Sequence, residues 1–176
     1  MKNIKLWFLA FLSSVLVFGS TSALAREMGM SYFGVNGGVV SPGFSGAQAT
    51  SGFGAQTGRR LTPDFGIGAY YQTSNHDDSL GASSTRMDLY GVEGNYYFTG
   101  DMDGMVLGVK FGLATLNPSG SRKSSSVSFG PRLAFDHRLT SSFSAGFEGS
   151  LLTQGSKEAI GGYTAVNLQG VLKLWF

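Results

Sequence analysis

The sequence predicts an all-β fold, an eight-stranded antiparallel up-and-down transmembrane β-barrel. Eight segments alternate apolar residues with small or polar ones, and a period of two gives an extended strand one apolar face and one polar face. The connections between these segments are alternately short and long. Segments of about ten residues, joined by long loops at one end only, are typical of barrels that cross a membrane.

The alternating segments and their connections can be read from the printed sequence. The predicted strands are residues 30–40, 51–60, 65–74, 86–98, 105–116, 127–136, 142–152 and 162–176. The predicted short turns are 61–64, 99–104 and 137–141. The predicted longer loops are 41–50, 75–85, 117–126 and 153–161. Closure of the last strand on the first satisfies every backbone group inside a membrane.

The first residues, 1–25, are predicted to be a secretory signal peptide and not part of the fold. Two lysines give a basic start, residues 6–18 are almost wholly apolar, and Ala23-Leu24-Ala25 is a small-x-small cleavage site. We expect cleavage after Ala25 to leave a single domain, residues 26–176. We expect no second, peptidoglycan-binding domain.

Composition excludes several classes of protein. Without the two lysines of the signal peptide, the 13 basic residues become 11 and equal the 11 acidic ones, so no nucleic-acid partner is expected. The absence of cysteine excludes disulfides, thiol catalysis and a lipid-modified N-terminal cysteine. After the signal peptide no apolar run approaches 18 residues, so the sequence predicts no membrane-spanning helix.

The last segment carries the alternation to the end of the sequence. Leu172 and Leu174 fall on the apolar face, predicted to contact lipid, and Lys173 falls on the lumen face. The sequence ends on the aromatic pair Trp175-Phe176. In this respect it resembles bacterial outer-membrane β-barrel proteins, whose final strand ends in Phe and is read by the insertion machinery.

This resemblance implies a location and a set of partners. It implies a protein of the bacterial outer membrane, exported through the periplasm, that contacts periplasmic chaperones and the barrel-assembly machinery. Trp175 and Phe176 would be the assembly signal. The surrounding partners would be outer-membrane lipid and lipopolysaccharide, and we expect a monomer.

A lipocalin-like barrel, soluble in water and apolar inside, is the alternative fold. Against it, the charged residues Glu93, Lys110, Arg132 and Glu148 lie opposite the apolar face and are flanked mostly by Gly, Ser, Ala and Asn. That pattern favours a narrow packed lumen over a solvated surface. Pro131 disagrees with the strand pattern, because it lies mid-strand and cannot donate to the ladder. We expect a bulge or a lost hydrogen bond there.

The charged residues suggest a network inside the lumen. An eight-stranded barrel is just wide enough to be filled by its own side chains, and charges persist there when they are paired. Similar depth along neighbouring strands predicts the pairs Glu93–Lys110 and Arg132–Glu148, with Lys173 lying lower. We expect Gln56, Asn167 and trapped water to bridge them. The predicted polar residues of the lumen are Gln56, Asn95, Asn167 and Gln169.

The network resembles that of the OmpA transmembrane domain, whose lumen also holds a Glu/Lys/Arg/Glu network that plugs the barrel. OmpX-like and opacity-like surface barrels are similar in architecture as well. These resemblances imply a structural or adhesin-like role, with a surface ligand bound through the loops 41–50, 75–85, 117–126 and 153–161. The alternative is a narrow, low-conductance pore gated by the lumenal charges.

Enzymatic function is not expected, nor are a cofactor or a metal site. A lipid A-modifying hydrolase, the remote alternative, needs a Ser and a His together. His76 is predicted in a flexible loop and His137 beside a turn at the other end of the barrel. Adjacent loop residues such as Asp77 give no fixed catalytic geometry, and residues 75–78 lack the spaced ligand set of a cation site.

Five basic residues are predicted near the two membrane surfaces. Arg86, Arg122 and Lys123 lie at the loop end, where lipopolysaccharide phosphates would be. Arg59 and Arg60 lie beside a short turn and are predicted to snorkel to periplasmic headgroups.

Overall fold

The chain forms a closed barrel of eight antiparallel strands, each paired with its neighbours in sequence order. The computed structural model describes residues 29–43, 48–77, 84–98, 103–119, 123–155 and 163–176. The strands are β1 (Ser31–Ser41), β2 (Thr50–Arg60), β3 (Phe65–Asp77), β4 (Ser84–Tyr97), β5 (Gly104–Pro118), β6 (Ser124–Arg138), β7 (Phe143–Gln154) and β8 (Tyr163–Trp175). The predicted fold class is confirmed, whereas the predicted signal peptide lies outside the described residues.

Burial alternates along most of each strand and places most of the large apolar side chains outside. In β8 the outward-facing Leu168 and Leu172 are 63% and 49% exposed, while Gln169 and Lys173 between and beyond them are 4% and 2% exposed. The same inversion holds around the barrel, where Phe147 is 75% exposed beside a buried Glu148. This is the reverse of a lipocalin-like barrel, so that alternative is wrong. Within the described residues, no helix is long and apolar enough to span a membrane.

Strands β1 and β8 close the barrel. Their ladder runs from Tyr32↔Trp175 to Ser41↔Val166. Beyond it, Ser31 N donates to Phe176 O at 2.9 Å and Phe176 N donates to Ser31 O at 3.0 Å. The final residue is therefore bonded to the first strand in both directions, as closure requires.

The strands extend further than the apolar alternation predicts. β3 continues to Asp77 and pairs there with Ser84 of β4, and β4 continues to pair with Pro118 of β5. The connections predicted as loops 75–85 and 117–126 are therefore shorter than expected. The reason is that backbone ladder bonds need no apolar side chains, so polar residues can prolong a hairpin. We call this end of the barrel the loop end and the opposite end, which carries both termini of the barrel, the turn end.

Pro131 interrupts one ladder without shifting it. The β6–β7 register passes from Phe129↔Thr153 to Arg132↔Ser150, with no pairing at Gly130 or Pro131. The residue numbers of the partners add to the same total on both sides, so no extra residue is inserted and there is no bulge. The predicted lost hydrogen bond is the outcome.

Two of the turn-end connections share a sequence and a structure. The segments Arg60-Leu61-Thr62 and Arg138-Leu139-Thr140 are each followed, after two intervening residues, by a Phe that begins the next strand. In both, the Leu and Thr amides donate to the carbonyl of that Phe, at 2.9 and 3.1 Å in one turn and 2.8 and 3.1 Å in the other. We call them the two Arg-Leu-Thr turns.

Candidate functional site

The lumen holds a network of buried charges at mid-height. Arg132 Nη2 lies 2.9 Å from Glu148 Oε2, and Arg132 Nε lies 3.7 Å from Glu93 Oε2. Lys110 donates to the other oxygen of Glu148. All four side chains are at most 3% exposed. Two cations and two carboxylates therefore form one connected and electrically balanced group.

The pairing differs in part from the prediction. Arg132 and Glu148 are in contact, but the predicted Glu93–Lys110 pair is wrong, because Lys110 pairs with Glu148 and Glu93 contacts Arg132. Glu93 and Lys110 are direct neighbours across the β4–β5 ladder. Direct neighbours project side by side from the barrel wall. The long Lys side chain extends instead across the narrow lumen, with its ammonium 4.7 Å from the centre of the Tyr70 ring.

Neutral donors hold Glu93 in place. Tyr32 OH donates to Glu93 Oε1 at 2.7 Å, and Asn95 Nδ2 donates to the same oxygen at 3.1 Å. Asn95 Oδ1 in turn accepts from Arg132 Nη1 at 2.6 Å. Asn95, predicted only as a polar lumen residue, thus joins the two charges. Hydrogen bonds of this kind help to make a buried charge tolerable.

Gln56 and Asn167 do not bridge the charges, contrary to the prediction. Asn167 accepts from Gln72 Nε2 and donates to Ser150 Oγ, both at 3.1 Å. Gln56 and Gln169 are buried, and neither atom of either amide has a hydrogen-bond partner within the described part of the chain. Amides buried in this way are normally satisfied by ordered water.

Two clusters of buried apolar side chains flank the charge network. The cluster at the turn end consists of Tyr32, Tyr97, Val106, Ala134 and Trp175. The cluster at the loop end consists of Val40, Tyr70, Met87, Leu89, Ala114, Leu116, Leu152, Tyr163 and Ala165. Met87 and Leu89 lie an even number of residues before Glu93 in β4, so the period of two places them on the lumen face as well.

A second ion pair lies at the turn end of the lumen. Lys173 donates to Asp136 Oδ2, and both residues are buried. Asp136 was predicted only as the end of a strand. It lies four residues after Arg132 in β6 and therefore shares the lumen face. Trp175 also faces the lumen, where its indole donates to Ser144 Oγ at 2.9 Å.

Arg60 also points into the lumen. The prediction that it snorkels outward is wrong, because its side chain is 0% exposed and its guanidinium lies 4.3 Å from the centre of the Tyr97 ring. Arg60 lies four residues after the lumen-facing Gln56, and residues an even number apart in a strand point to the same face. Its neighbour Arg59 is on the outer face and exposed.

His76 belongs to β3 and not to a flexible loop, which corrects the prediction. It is 1% exposed, its Nδ1 lies 3.0 Å from Gln48 O, and its Nε2 lies 2.8 Å from Ser74 Oγ. The carbonyl can only accept, so in the neutral imidazole Nδ1 carries the proton and Nε2 accepts from Ser74 Oγ. Both side chains are buried on the lumen face, so the pair does not meet lipid on the outer wall. His137 lies at the other end, exposed, 3.2 Å from Asp103.

The outer wall carries a polar cluster near the loop end. Arg86 Nε donates to Asp88 Oδ1 at 3.0 Å, Arg86 Nη2 donates to Tyr71 OH at 3.1 Å, and Tyr71 OH donates to Asp88 at 2.9 Å. The Arg86 side chain is half exposed. It borders a pocket of about 340 Å³ that Phe53 and Thr73 also line. Arg122 lies outside the described residues, and Lys123 is exposed beside β6.

The described part of the chain contains no group of three or more His, Cys, Asp or Glu side chains that could hold a metal ion.

No family model matches the chain, and no curated protein matches it. Solved structures do. Neisserial surface protein A aligns with a TM-score of 0.63 at 13% identity, covering 83% of this chain and 97% of that one. The chain has the fold of the small outer-membrane β-barrels.

Two further barrels show the same likeness. The N-terminal β-barrel domain of Pseudomonas aeruginosa OprF aligns with a TM-score of 0.51 at 19% identity, covering 84% of this chain and 98% of that one. The attachment invasion locus protein Ail of Yersinia pestis aligns with a TM-score of 0.51 at 14% identity, covering 84% and 99%. At these identities the likeness establishes the fold.

Proposed function

We propose that the chain is a small β-barrel of the bacterial outer membrane with a structural or surface-interaction role. The inverted burial is the observation that carries this proposal. Large outward-facing side chains such as Phe147 and Leu168 are 75% and 63% exposed, whereas Glu148 and Gln169 beside them are buried. In water that outer surface would be a large aggregating patch, but in lipid it is the favourable face.

A charge placed on each surface tests the membrane location. Phe147→Arg puts a cation into the apolar band, where it costs about 2–4 kcal/mol, while Leu139→Arg puts the same cation into an exposed turn. We expect Phe147→Arg to lose the heat-modifiable band in gels of the outer-membrane fraction and Leu139→Arg to keep it. A wild-type chain found soluble in the periplasm, with no such band, would refute the location.

The proposal includes a lumen closed by side chains. In its favour, the charge network lies between the two apolar clusters, and Lys110, Arg132 and Lys173 all contact carboxylates. Such packing fits the narrow interior of eight strands. Negligible current in planar bilayers is the expected result.

A narrow gated pore is the second candidate. The observation that favours it is the sharing of Glu148 between Lys110 and Arg132. If Glu148 released one cation, Glu93 is already within 3.7 Å of Arg132 to take it. Under this candidate Lys110→Ala and Arg132→Ala change the conductance, while the exposed Lys123→Ala does not. Negligible current in all four proteins would exclude the pore.

A role at the cell surface would use the outer wall and the loops. The half-exposed Arg86 guanidinium, beside its pocket, suits a lipopolysaccharide phosphate, and Lys123 and Arg122 are proposed to contribute. The loops 41–50, 75–85, 117–126 and 153–161 are the proposed contact for a surface ligand. One structural neighbour is named an attachment invasion locus protein, which is in keeping with a surface role.

Thermal unfolding in two lipid mixtures tests the lipopolysaccharide contact. Wild-type protein should be more stable in bilayers containing lipopolysaccharide than in phospholipid alone, and Arg86→Ala should lose most of that difference. Arg59→Ala, an outward-facing change at the turn end, is the matched control and should keep it. Equal behaviour of the two variants would contradict the contact.

We also propose that the chain has no enzymatic activity. Ser74 and His76 are hydrogen-bonded, but their side chains are 3% and 1% exposed and face the lumen. A nucleophile must reach its substrate, and a lipid ester lies on the other side of the barrel wall.

A further inference from the structure

Arg60 is a buried guanidinium with hydrogen-bonding capacity to spare. Its Nη2 donates to the Pro63 carbonyl of the adjoining turn, and one face of the guanidinium covers the Tyr97 ring. Its Nε and Nη1 have no hydrogen-bond partner in the described part of the chain. A buried cation of this kind is costly unless it is paired.

Among the buried cations of the described lumen, Arg60 is the one without a carboxylate partner. The buried charged side chains in the described residues are the cations Arg60, Lys110, Arg132 and Lys173 and the carboxylates Glu93, Asp136 and Glu148. Glu93 and Glu148 are engaged in the central network, and Asp136 is engaged by Lys173. The described lumen therefore has one cation more than it has carboxylates.

The second Arg-Leu-Thr turn shows how much of this geometry the turn itself requires. Arg138 occupies the position of Arg60 and donates to the carbonyls of Thr140 and Ser141, each at 3.2 Å. It does so from a partly exposed site. Support of the turn thus accounts for the bond from Arg60 to Pro63, but it does not account for burial against Tyr97.

We propose that Arg60 binds an anion with carboxylate or phosphate oxygens at the turn end of the lumen. The planar guanidinium matches such oxygens, and exclusion of water strengthens the attraction. Arg60 is the last residue of β2, and residues 61–64 beyond it are exposed, so the proposed anion would enter from that side.

The anion has two sources with the same chemistry. One is a free solute such as inorganic phosphate. The other is the carboxylate of Glu27, which lies outside the described residues, two positions before Gly29. The Gly29 amide donates to Arg60 O at 2.9 Å, and two residues span at most about 7 Å.

Phosphate titration of residues 26–176, refolded in a non-ionic detergent, tests the proposal. The readouts are the NMR signals of the Arg60 Nε–H and the Tyr97 amide at constant ionic strength. We expect a saturable shift of both in wild type, retained in Arg138→Gln, with the Tyr97 shift lost in Arg60→Gln. Arg60→Lys, which keeps the charge, serves if Arg60→Gln does not fold, and should weaken the saturable shift.

The remaining outcomes decide between the sources or end the proposal. A saturable shift in Glu27→Gln but not in wild type identifies the chain's own carboxylate as the anion. No saturable shift in either protein overturns the proposal, as does an unchanged Tyr97 shift in Arg60→Gln.

Discussion

Arg132 and Glu148 are in contact at 2.9 Å although they are not ladder partners. Arg132 lies opposite Ser150 and Glu148 opposite Ala134 in the β6–β7 register. Their contact is a diagonal across adjacent strands, which long side chains can make. It brings Glu148 towards the lumen axis, where Lys110 reaches it as well.

The first prediction concerns this contact. Arg132→Met removes the cation that contacts both carboxylates, and an uncompensated buried charge costs about 3–5 kcal/mol. We expect a loss of that order in the free energy of unfolding, measured by urea titration in micelles. Arg86→Met, on the exposed outer wall, should cost under about 1 kcal/mol. Equal losses would contradict a buried network.

The second prediction tests whether Arg132 and Glu148 are energetically coupled. Glu148→Gln alone leaves Lys110 without a carboxylate and Arg132 with only the more distant Glu93, so it should also destabilise strongly. In the double variant with Arg132→Met, Lys110 retains an amide partner and the loss should be smaller than the two single losses combined. Simple additivity would show that the residues do not interact.

The third prediction concerns the gap in the β6–β7 ladder. Pro131→Val restores a backbone donor opposite β7, and an ordinary hydrogen bond contributes about 0.5–1.5 kcal/mol. We expect slower unfolding of the refolded barrel. Val109→Thr, on the adjacent strand opposite Pro131, changes the outer face without changing the ladder and serves as control. A Pro131→Val barrel that unfolds faster than wild type would show that the interruption is needed for the fold.

The fourth prediction concerns the end of the chain. Phe176 exchanges two backbone hydrogen bonds with Ser31, and its proposed role as an assembly signal acts before folding is complete. Deleting Phe176 should reduce the folded protein in the outer membrane much more than it reduces refolding in detergent. The control is Leu174→Ala, which keeps the terminal residue. An equal reduction in both settings would assign Phe176 a purely structural role.

The fifth prediction concerns Ser74 and His76. Because their hydrogen-bonded pair is buried on the lumen face, expression of the protein should leave the mass spectrum of lipid A unchanged, and Ser74→Ala should give the same spectrum. Loss of an acyl chain from lipid A with wild type, but not with Ser74→Ala, would establish the hydrolase alternative instead.

Period-two alternation was enough to predict every strand and the side of the wall on which most residues lie. The same period of two, extended past the apolar segments, also places Arg60, Asp136 and His76 on the lumen face. They were misassigned or passed over because each lies near the end of its strand. Alternation cannot predict ion-pair partners. Which side chains meet across a narrow lumen depends on the tilt of the strands and on the length of the side chains.

Spin labels on adjacent residues of β8 test the central claim most directly. The chain has no cysteine, so Leu168→Cys and Gln169→Cys each give one labelled site, and in proteoliposomes oxygen reports lipid while a water-soluble nickel complex reports water. We predict that the label at position 168 collides with oxygen and not with nickel, and that the label at 169 collides with neither. Nickel access at 168 would contradict the lipid-facing wall, and nickel access at 169 would contradict the closed lumen.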